Sequence, residues 1–403
     1  MQLTLYLRLS LLFLLQFFIW GSWYVTLGTY LLQTVGFNGR EVGLIYGTMA
    51  IAATVSPFLM GRLADQLVPV EKLLAILNFG SGIVLFIVAS LQLFWLIYPL
   101  LILYFLLFVP TFALTSALSF FHISDREKNF PKIRVWGTIG WVIAGILISY
   151  LDIEKQADPM RISACSSFLT ALYCLTLPHT PPQDRRGRPR SLRQFFGPEI
   201  LQLFQRPSFS VLIICLILIA IPSGFYYTFV NAFLNEIGME NAAAKMSIGQ
   251  MSEILVMLLL PFLYGRVRMK WIIAAGMLFW GSRYYLFAFG DNEALVWVLY
   301  LAIFIHGFAF SFTFLTAQIY VDKIAPPQVR GTAQGFITLI SMGIGALMGS
   351  YIAGEVVKAF TAPDGSHAWT LIWCVPATIG CLVTIIFVLF FRPRNGKTSK
   401  QSD

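Results

Sequence analysis

One acidic residue lies deep inside an apolar stretch of the sequence, where it could carry out acid–base chemistry. Glu253 occurs within Ser247–Ile254, three residues after Gln250, and residues three apart share one face of a helix. A charge at the centre of a membrane costs about 2.5–3.5 kcal/mol, and burial of a carboxyl group favours its protonated form. We interpret Glu253 as a proton carrier or as a ligand for a polar solute. A neutral side chain that only holds helices together is the alternative.

A cation, a hydroxyl and an aromatic ring follow one another at helical spacing. Arg134, Thr138 and Trp141 stand at positions i, i+4 and i+7, so one helix face presents all three groups. This combination could bind a polar aromatic solute. Arg134 also follows Lys132 closely, and a basic residue at the start of a membrane helix is equally well explained by topology alone.

Three further apolar stretches contain side chains able to form hydrogen bonds. His306 precedes Phe310 by one helical turn, and it either lines a binding pocket or bonds to a neighbouring helix. Tyr227 and Asn231 also share a face, and Asn231 could bind a sugar hydroxyl or a base edge, or could join two helices. Arg283 lies near the end of its apolar stretch, and we expect it to extend to the membrane surface as a structural residue.

The helices that position these side chains must lie in a membrane. Of the 403 residues, 58% are hydrophobic and only 12% are charged, against roughly 25% charged in soluble domains. The length accommodates twelve spans and no soluble catalytic domain, and nucleotide-binding, hydrolase and zinc motifs do not occur. The sequence therefore predicts an all-α integral membrane protein that is not an enzyme and needs no cofactor. The apolar runs lie near residues 9–32, 42–61, 72–91, 93–119, 135–151, 160–177, 208–234, 243–264, 270–289, 295–321, 331–359 and 368–391.

The distribution of basic residues predicts the orientation. An even number of spans places both termini on one side, and most of the 28 lysines and arginines then fall on that side. Basic residues concentrate in cytoplasmic loops, so both termini are expected in the cytoplasm. The same bias explains the net charge of +9 without nucleic-acid binding, and it leaves membrane lipid as a partner of the basic loops.

The chain divides into two similar halves. The segment Ser56–Arg62, after the second span, resembles Leu260–Arg266 after the eighth, and parallel six-helix repeats are typical of transporters that bind substrate between the repeats. We expect two pseudo-symmetric six-helix bundles joined by a basic, proline-rich linker. The predicted divisions are 1–177 for the first bundle, 178–207 for the cytoplasmic linker, 208–391 for the second bundle and 392–403 for a cytoplasmic tail.

Motifs spread over nearly the whole chain resemble one family in particular. The segments Gln16–Trp23, Pro131–Gly140, Gln250–Glu253 and Ala333–Gly335 together look like the nucleoside:proton symporter family of the major facilitator superfamily. The stretch Gly61–Asp65 is similar to the motif that this superfamily carries between spans two and three. The resemblance implies a monomeric transporter of the bacterial cytoplasmic (inner) membrane that imports nucleosides by proton symport with alternating access.

The resemblance also assigns roles to residues. Positions matching those that contact or orient the nucleoside are Arg134, Thr138, Gln250 and Glu253. Aromatic pocket walls of the family fall at Trp141, His306 and Phe310. Ser311 stands where the best-known family members have an acidic residue, which leaves Glu253 as the only carboxylate of the central membrane region and the expected proton-coupling group.

Other functions are also compatible with these residues. A facilitator, or a proton symporter for another polar solute such as a sugar, would use a similar site. A membrane receptor or a channel is the alternative from a different class, although a channel would be expected to show a repeated filter motif.

Overall fold

The computed structural model of the chain describes residues 3–66, 68–182, 202–326 and 330–392. Within these ranges the chain is helical apart from short loops and one isolated bridge between Thr361 and His367. The predicted all-α class is therefore confirmed. The arginine-rich part of the predicted linker and most of the predicted tail lie outside the described residues.

Twelve long helical segments make up the described part of the chain. Ten of them are long and apolar enough to cross a membrane, and α2 and α6 complete the twelve predicted spans. The segments are α1 (Leu3–Val35), α2 (Gly39–Gln66), α3 (Val70–Val88), α4 (Phe94–His122), α5 (Arg126–Tyr150), α6 (Asp158–Cys174), α7 (Pro207–Glu236), α8 (Ala242–Tyr264), α9 (Met269–Phe289), α10 (Val296–Ile324), α11 (330–359) and α12 (Trp369–Phe390).

Helix α5 begins well before the point that hydropathy predicts. Its apolar run starts near residue 135, but the helix starts at Arg126, where the Asp125 side chain accepts a hydrogen bond of 3.1 Å from the backbone N–H of Lys128. Such a cap satisfies a free N–H at a helix start. Arg134 therefore lies about two turns inside the helix, and its expected position at the helix start is wrong.

Three of the helices contain irregular segments, two of them near the helix centre and one at the end of α1. Helix α1 has a turn followed by π-helical Tyr30–Val35, α10 contains π-helical Ser311–Leu315, and α11 contains π-helical Leu339–Gly345. Local π-helical turns often occur at functional sites. All three helices contribute side chains to the cavity described below.

Helices α1–α6 pack mainly on one another, as do α7–α12, and the two groups meet along a few helix pairs. The pairs are α2 with α11, α5 with α8, and the end of α1 with α7. At Gly43 of α2, an added Cβ would lie 2.3 Å from the backbone oxygen of Ser350, so only glycine permits this approach. The exact domain boundaries remain a prediction.

Candidate functional site

A cavity of about 250 Å³ lies between the two groups of helices. Side chains from α1, α2 and α5 line one side, and side chains from α7, α8, α10 and α11 line the other. The cavity brings together eight of the nine residues predicted for the site, from four different helices. These are Arg134, Thr138, Trp141, Tyr227, Gln250, Glu253, His306 and Phe310.

Two charged side chains face the cavity from opposite groups. Glu253 on α8 is the one carboxylate among the described cavity residues, and Arg134 on α5 is the one guanidinium. The Glu253 carboxylate and the Arg134 guanidinium attract each other across the cavity, but they do not form a direct ion pair. The Arg134 guanidinium instead lies 4.2 Å from the ring centre of Phe17. A proton or a polar solute entering the cavity would therefore meet both charges.

The aromatic wall on the α1 side was missed by the site prediction. Phe17, Trp20 and Tyr24 line the cavity, and Trp20 packs edge-to-face on Trp141 with ring centres 5.0 Å apart. The sequence did contain a signal, because the glycine of the Trp20–Trp23 segment allows α1 to approach α5. A Cβ at Gly21 would lie 3.0 Å from Cα of Trp141.

Asn231 is the one predicted site residue that the structure places elsewhere. It lies one turn beyond Tyr227 on α7, past the end of the cavity, and it is buried among polar groups. Its Nδ2 donates to Oε2 of Glu154 at 3.1 Å, and Thr29 donates to its Oδ1. Of the two roles that the sequence left open for Asn231, the hydrogen bonds in the structure fit the one that joins helices.

Arg283 also differs from the prediction, because it does not extend to the membrane surface. Its side chain is completely buried, and Nη1 lies 3.0 Å from Nδ1 of His306. The residue faces the inside of the bundle, where aromatic rings enclose the guanidinium. Hydropathy located Arg283 along α9 but could not show which way it faces.

The two helix groups are fastened together around Glu154, which follows α5 and was not singled out from the sequence. This buried carboxylate accepts hydrogen bonds from Ser149 (2.6 Å) of its own group and from Asn231 (3.1 Å), Asn235 (2.9 Å) and the backbone N–H of Ala243 (3.0 Å) of the other. We call this set the Glu154 cluster.

An ion pair between the groups supports the Glu154 cluster at the same end of the bundle. Arg40 at the start of α2 lies 2.9 Å from Glu355 near the end of α11. The first and last described residues, Leu3 and Arg392, lie at the opposite end, since each group has an even number of helices. The cavity thus lies on the side of this closed end that faces the first and last described residues.

A central cavity between two six-helix groups that are fastened at one end defines a transporter of the major facilitator fold. Residues 1–396 match the family described as nucleoside H⁺ symporter, and the chain belongs to this family.

Three comparisons support this assignment over nearly the full length. The chain is 36% identical to the putative nucleoside transporter YegT of Escherichia coli (strain K12), covering 96% of this chain and 93% of that protein. It is 30% identical to the xanthosine permease of the same organism, covering 96% and 95%. The crystal structure of the nucleoside transporter NupG superposes with a TM-score of 0.89 at 29% identity, covering 97% of this chain and 100% of that one.

The family assignment confirms several predictions made from the sequence. The chain is a multi-pass membrane transporter and not an enzyme, and its resemblance to nucleoside:proton symporters is confirmed. More distant solved transporters, such as a peptide transporter with 13% identity and a TM-score of 0.72, share the fold alone.

Proposed function

We propose that this chain imports nucleosides across the bacterial cytoplasmic membrane by proton symport, with the nucleoside in the central cavity and the proton on Glu253. The observation that carries the proposal is that Glu253 and Arg134, from opposite helix groups, both line one aromatic-walled cavity and attract each other across it. Glu253 and Arg134 lie where the two helix groups move against each other. Their attraction can therefore respond both to a bound proton and to a bound substrate.

The cavity suits a molecule with an aromatic and a hydroxylated part. Trp141, Tyr227 and Phe310 offer ring faces for a base, and stacking of this kind contributes about 0.5–1.5 kcal/mol beyond the area buried. Gln250 has a buried Oε1 that accepts no hydrogen bond from any residue that the structure describes. A ribose hydroxyl could supply the missing donor, because an unpaired buried acceptor is costly.

Proton coupling follows from the position of Glu253. When ionised, the carboxylate attracts Arg134 of the other helix group, and a proton removes this attraction. Binding of proton and substrate can therefore change the relative stability of two arrangements of the groups. One proton moving through 100 mV releases about 2.3 kcal/mol, enough for roughly fifty-fold accumulation.

The proposed orientation places both termini, the basic linker and the tail in the cytoplasm. In this orientation the end with the Glu154 cluster faces outward, and we infer that the arrangement is inward-facing. The cavity is complete within one chain, which supports a monomer as the transporting unit, surrounded by membrane lipid.

Uptake into proteoliposomes tests the function directly. Labelled nucleosides and sugars are supplied with and without an inward proton gradient, and gradient-dependent accumulation of nucleosides is expected. Equilibration without accumulation would instead support the facilitator, accumulation of sugars alone would change the substrate class, and binding without uptake would support a receptor.

Arg134→Ala and Gln250→Ala are each expected to weaken nucleoside binding by about 1–3 kcal/mol, the cost of a buried polar partner left unsatisfied. Binding is measured by calorimetry on folded, purified protein. Lys132→Ala is the matched control, since Lys132 lies on the same helix but is exposed and outside the cavity. Unchanged affinity in Arg134→Ala would remove Arg134 from the site.

The topology is tested with reporters fused at chosen positions. Reporters at Arg188 in the linker and after Arg394 in the tail are expected to be cytoplasmic, because basic segments are retained on that side. A reporter at Asp291, in the loop between α9 and α10, should be outside. Opposite locations for the first two reporters would contradict the twelve-span topology.

A further inference from the structure

A fully buried arginine, Arg283, contacts the cavity residue His306 on the side away from the cavity. Nη1 of Arg283 lies 3.0 Å from Nδ1 of His306, while Nε and Nη2 of the arginine have no hydrogen-bond partner among the described residues. The guanidinium lies 4.0 Å from the ring centre of Tyr226 and 5.3 Å from that of Trp280. Within the described part of the chain, no carboxylate pairs with Arg283, and His306 lies within hydrogen-bonding distance of it.

This contact determines where the imidazole carries its proton. An arginine side chain has only donors and stays protonated in proteins, so Nδ1 of His306 must accept the hydrogen bond. The ring proton then lies on Nε2. In a doubly protonated ring, Nδ1–H of His306 would point at an N–H of Arg283. Two cations would then lie side by side in a buried site, which is strongly unfavourable. His306 is therefore a neutral ring with a defined tautomer.

The imidazole ring of His306 is also closely packed by neighbouring aromatic rings. Tyr226 stacks on the imidazole at 4.5 Å and 17°, and Tyr227 and Trp280 pack against it edge-to-face. His306 lines the cavity, and its Nε2 makes no hydrogen bond to any described residue. The Nε2–H group is a fixed donor without an acceptor.

We propose that Arg283 is a positioning residue that fixes His306 as a hydrogen-bond donor, so that the site selects nucleosides with an acceptor atom on the base at this wall. The inference rests on the proposed function and adds a specificity determinant to it. A base edge is favoured over a ribose because His306 lies among aromatic rings, whereas Arg134, Thr138 and Gln250 offer polar contacts elsewhere in the cavity.

A consequence is that His306 does not carry the transported proton. Protonation of Nδ1 would break the contact with Arg283 and place a second charge beside it. The structure thus separates two tasks, with Glu253 available for the proton and His306 for recognition of the base.

The test compares parent nucleosides with analogues in which one base acceptor at a time is replaced by C–H. Wild-type protein is expected to bind one such analogue at least about tenfold more weakly than its parent, the effect of one lost hydrogen bond. In His306→Phe and in Arg283→Met, parent and analogue should bind equally well. His306→Gln retains an N–H donor and should restore part of the discrimination. Tyr285→Phe, on the same helix as Arg283 but outside the cavity, should discriminate like the wild type.

The outcomes separate this inference from the proposed function. If wild-type protein binds no nucleoside, the proposed function fails. If it binds nucleosides but both variants weaken parent and analogue by the same factor, His306 and Arg283 have only structural roles and the inference is overturned.

A spectroscopic measurement on the wild-type protein tests the tautomer of His306 directly. Nitrogen NMR with ¹⁵N-histidine reports the tautomer of each of the four histidines, and His306→Gln assigns the signal. Near neutral pH, His306 is expected as the neutral Nε2–H tautomer, and Arg283→Met should give a mixture. A Nδ1–H tautomer or an imidazolium in the wild type would refute the role of Arg283.

Discussion

Replacing Glu253 by glutamine is expected to abolish uphill nucleoside uptake while nucleoside binding is retained. Glutamine has nearly the same shape and can keep the hydrogen bonds of a protonated carboxyl group, but it cannot gain and lose a proton. Since Glu253 is the one carboxylate among the described cavity residues, no other acid there can replace it. The attraction between this residue and Arg134 would no longer change during transport.

The measurement is accumulation of labelled nucleoside in proteoliposomes with an inward proton gradient. Accumulation in Glu253→Gln should fall from up to roughly fifty-fold at 100 mV to none, whereas exchange of internal for external nucleoside should persist. Glu240→Gln is the control, because Glu240 is an exposed glutamate in the loop before α8. Uphill uptake by Glu253→Gln would show that Glu253 is only a structural hydrogen-bonding residue.

Removing the Glu154 carboxylate is expected to open the end of the protein that is closed in this structure. In Glu154→Ala, donors from Ser149, Asn231, Asn235 and Ala243 lose their common acceptor. Each lost hydrogen bond to a buried group is worth about 1–3 kcal/mol, and three of these bonds join the two helix groups. The closed arrangement loses this stabilisation, so the population of the opposite arrangement should rise by about tenfold or more.

Chemical labelling of a cysteine placed in the contact between the two helix groups can detect the opening of this end of the protein. Ala232 is fully buried on α7 next to the cluster, and its backbone oxygen accepts a hydrogen bond from Gln33 of α1 at 2.9 Å. In a background without the five native cysteines, Ala232→Cys should react with an impermeant maleimide at least about tenfold faster when combined with Glu154→Ala.

The control for this experiment is a carboxylate at the same end that lies within one helix group. Glu236 contacts Nδ1 of His367 at 2.8 Å, and both residues belong to the second group. Glu236→Ala should therefore leave the labelling rate of Ala232→Cys unchanged. Equal labelling in the Glu154→Ala and wild-type backgrounds would show that the cluster does not hold the closed state.

Helical spacing predicted which side chains of a single helix lie together, and several of these side chains line the cavity. Arg134, Thr138 and Trp141 all reach the cavity, as do Gln250 and Glu253, because residues three, four or seven apart on one helix must share a face. The same rule placed Asn231 with Tyr227 on a common face of α7. It could not show that the cavity ends between the two residues, because depth along a helix is set by the neighbouring helices.

Helical spacing could not predict which side chains of different helices contact each other. Arg283 and His306 lie on different helices, and their contact depends on how α9 and α10 are rotated against each other. Glu154 follows α5 in a short polar segment that reads as a surface loop, yet the second helix group covers it and supplies three donors.

By itself, the sequence determined that this chain is a twelve-span membrane protein with two related halves and an acid in its centre. These properties follow from local hydropathy and from the side chains each helix face carries, which do not depend on distant residues. The tertiary structure alone decided which faces meet, which end is closed and which polar groups find partners. The physical reason is that apolar helix surfaces can pack in many rotations and depths, and only the assembled bundle selects one.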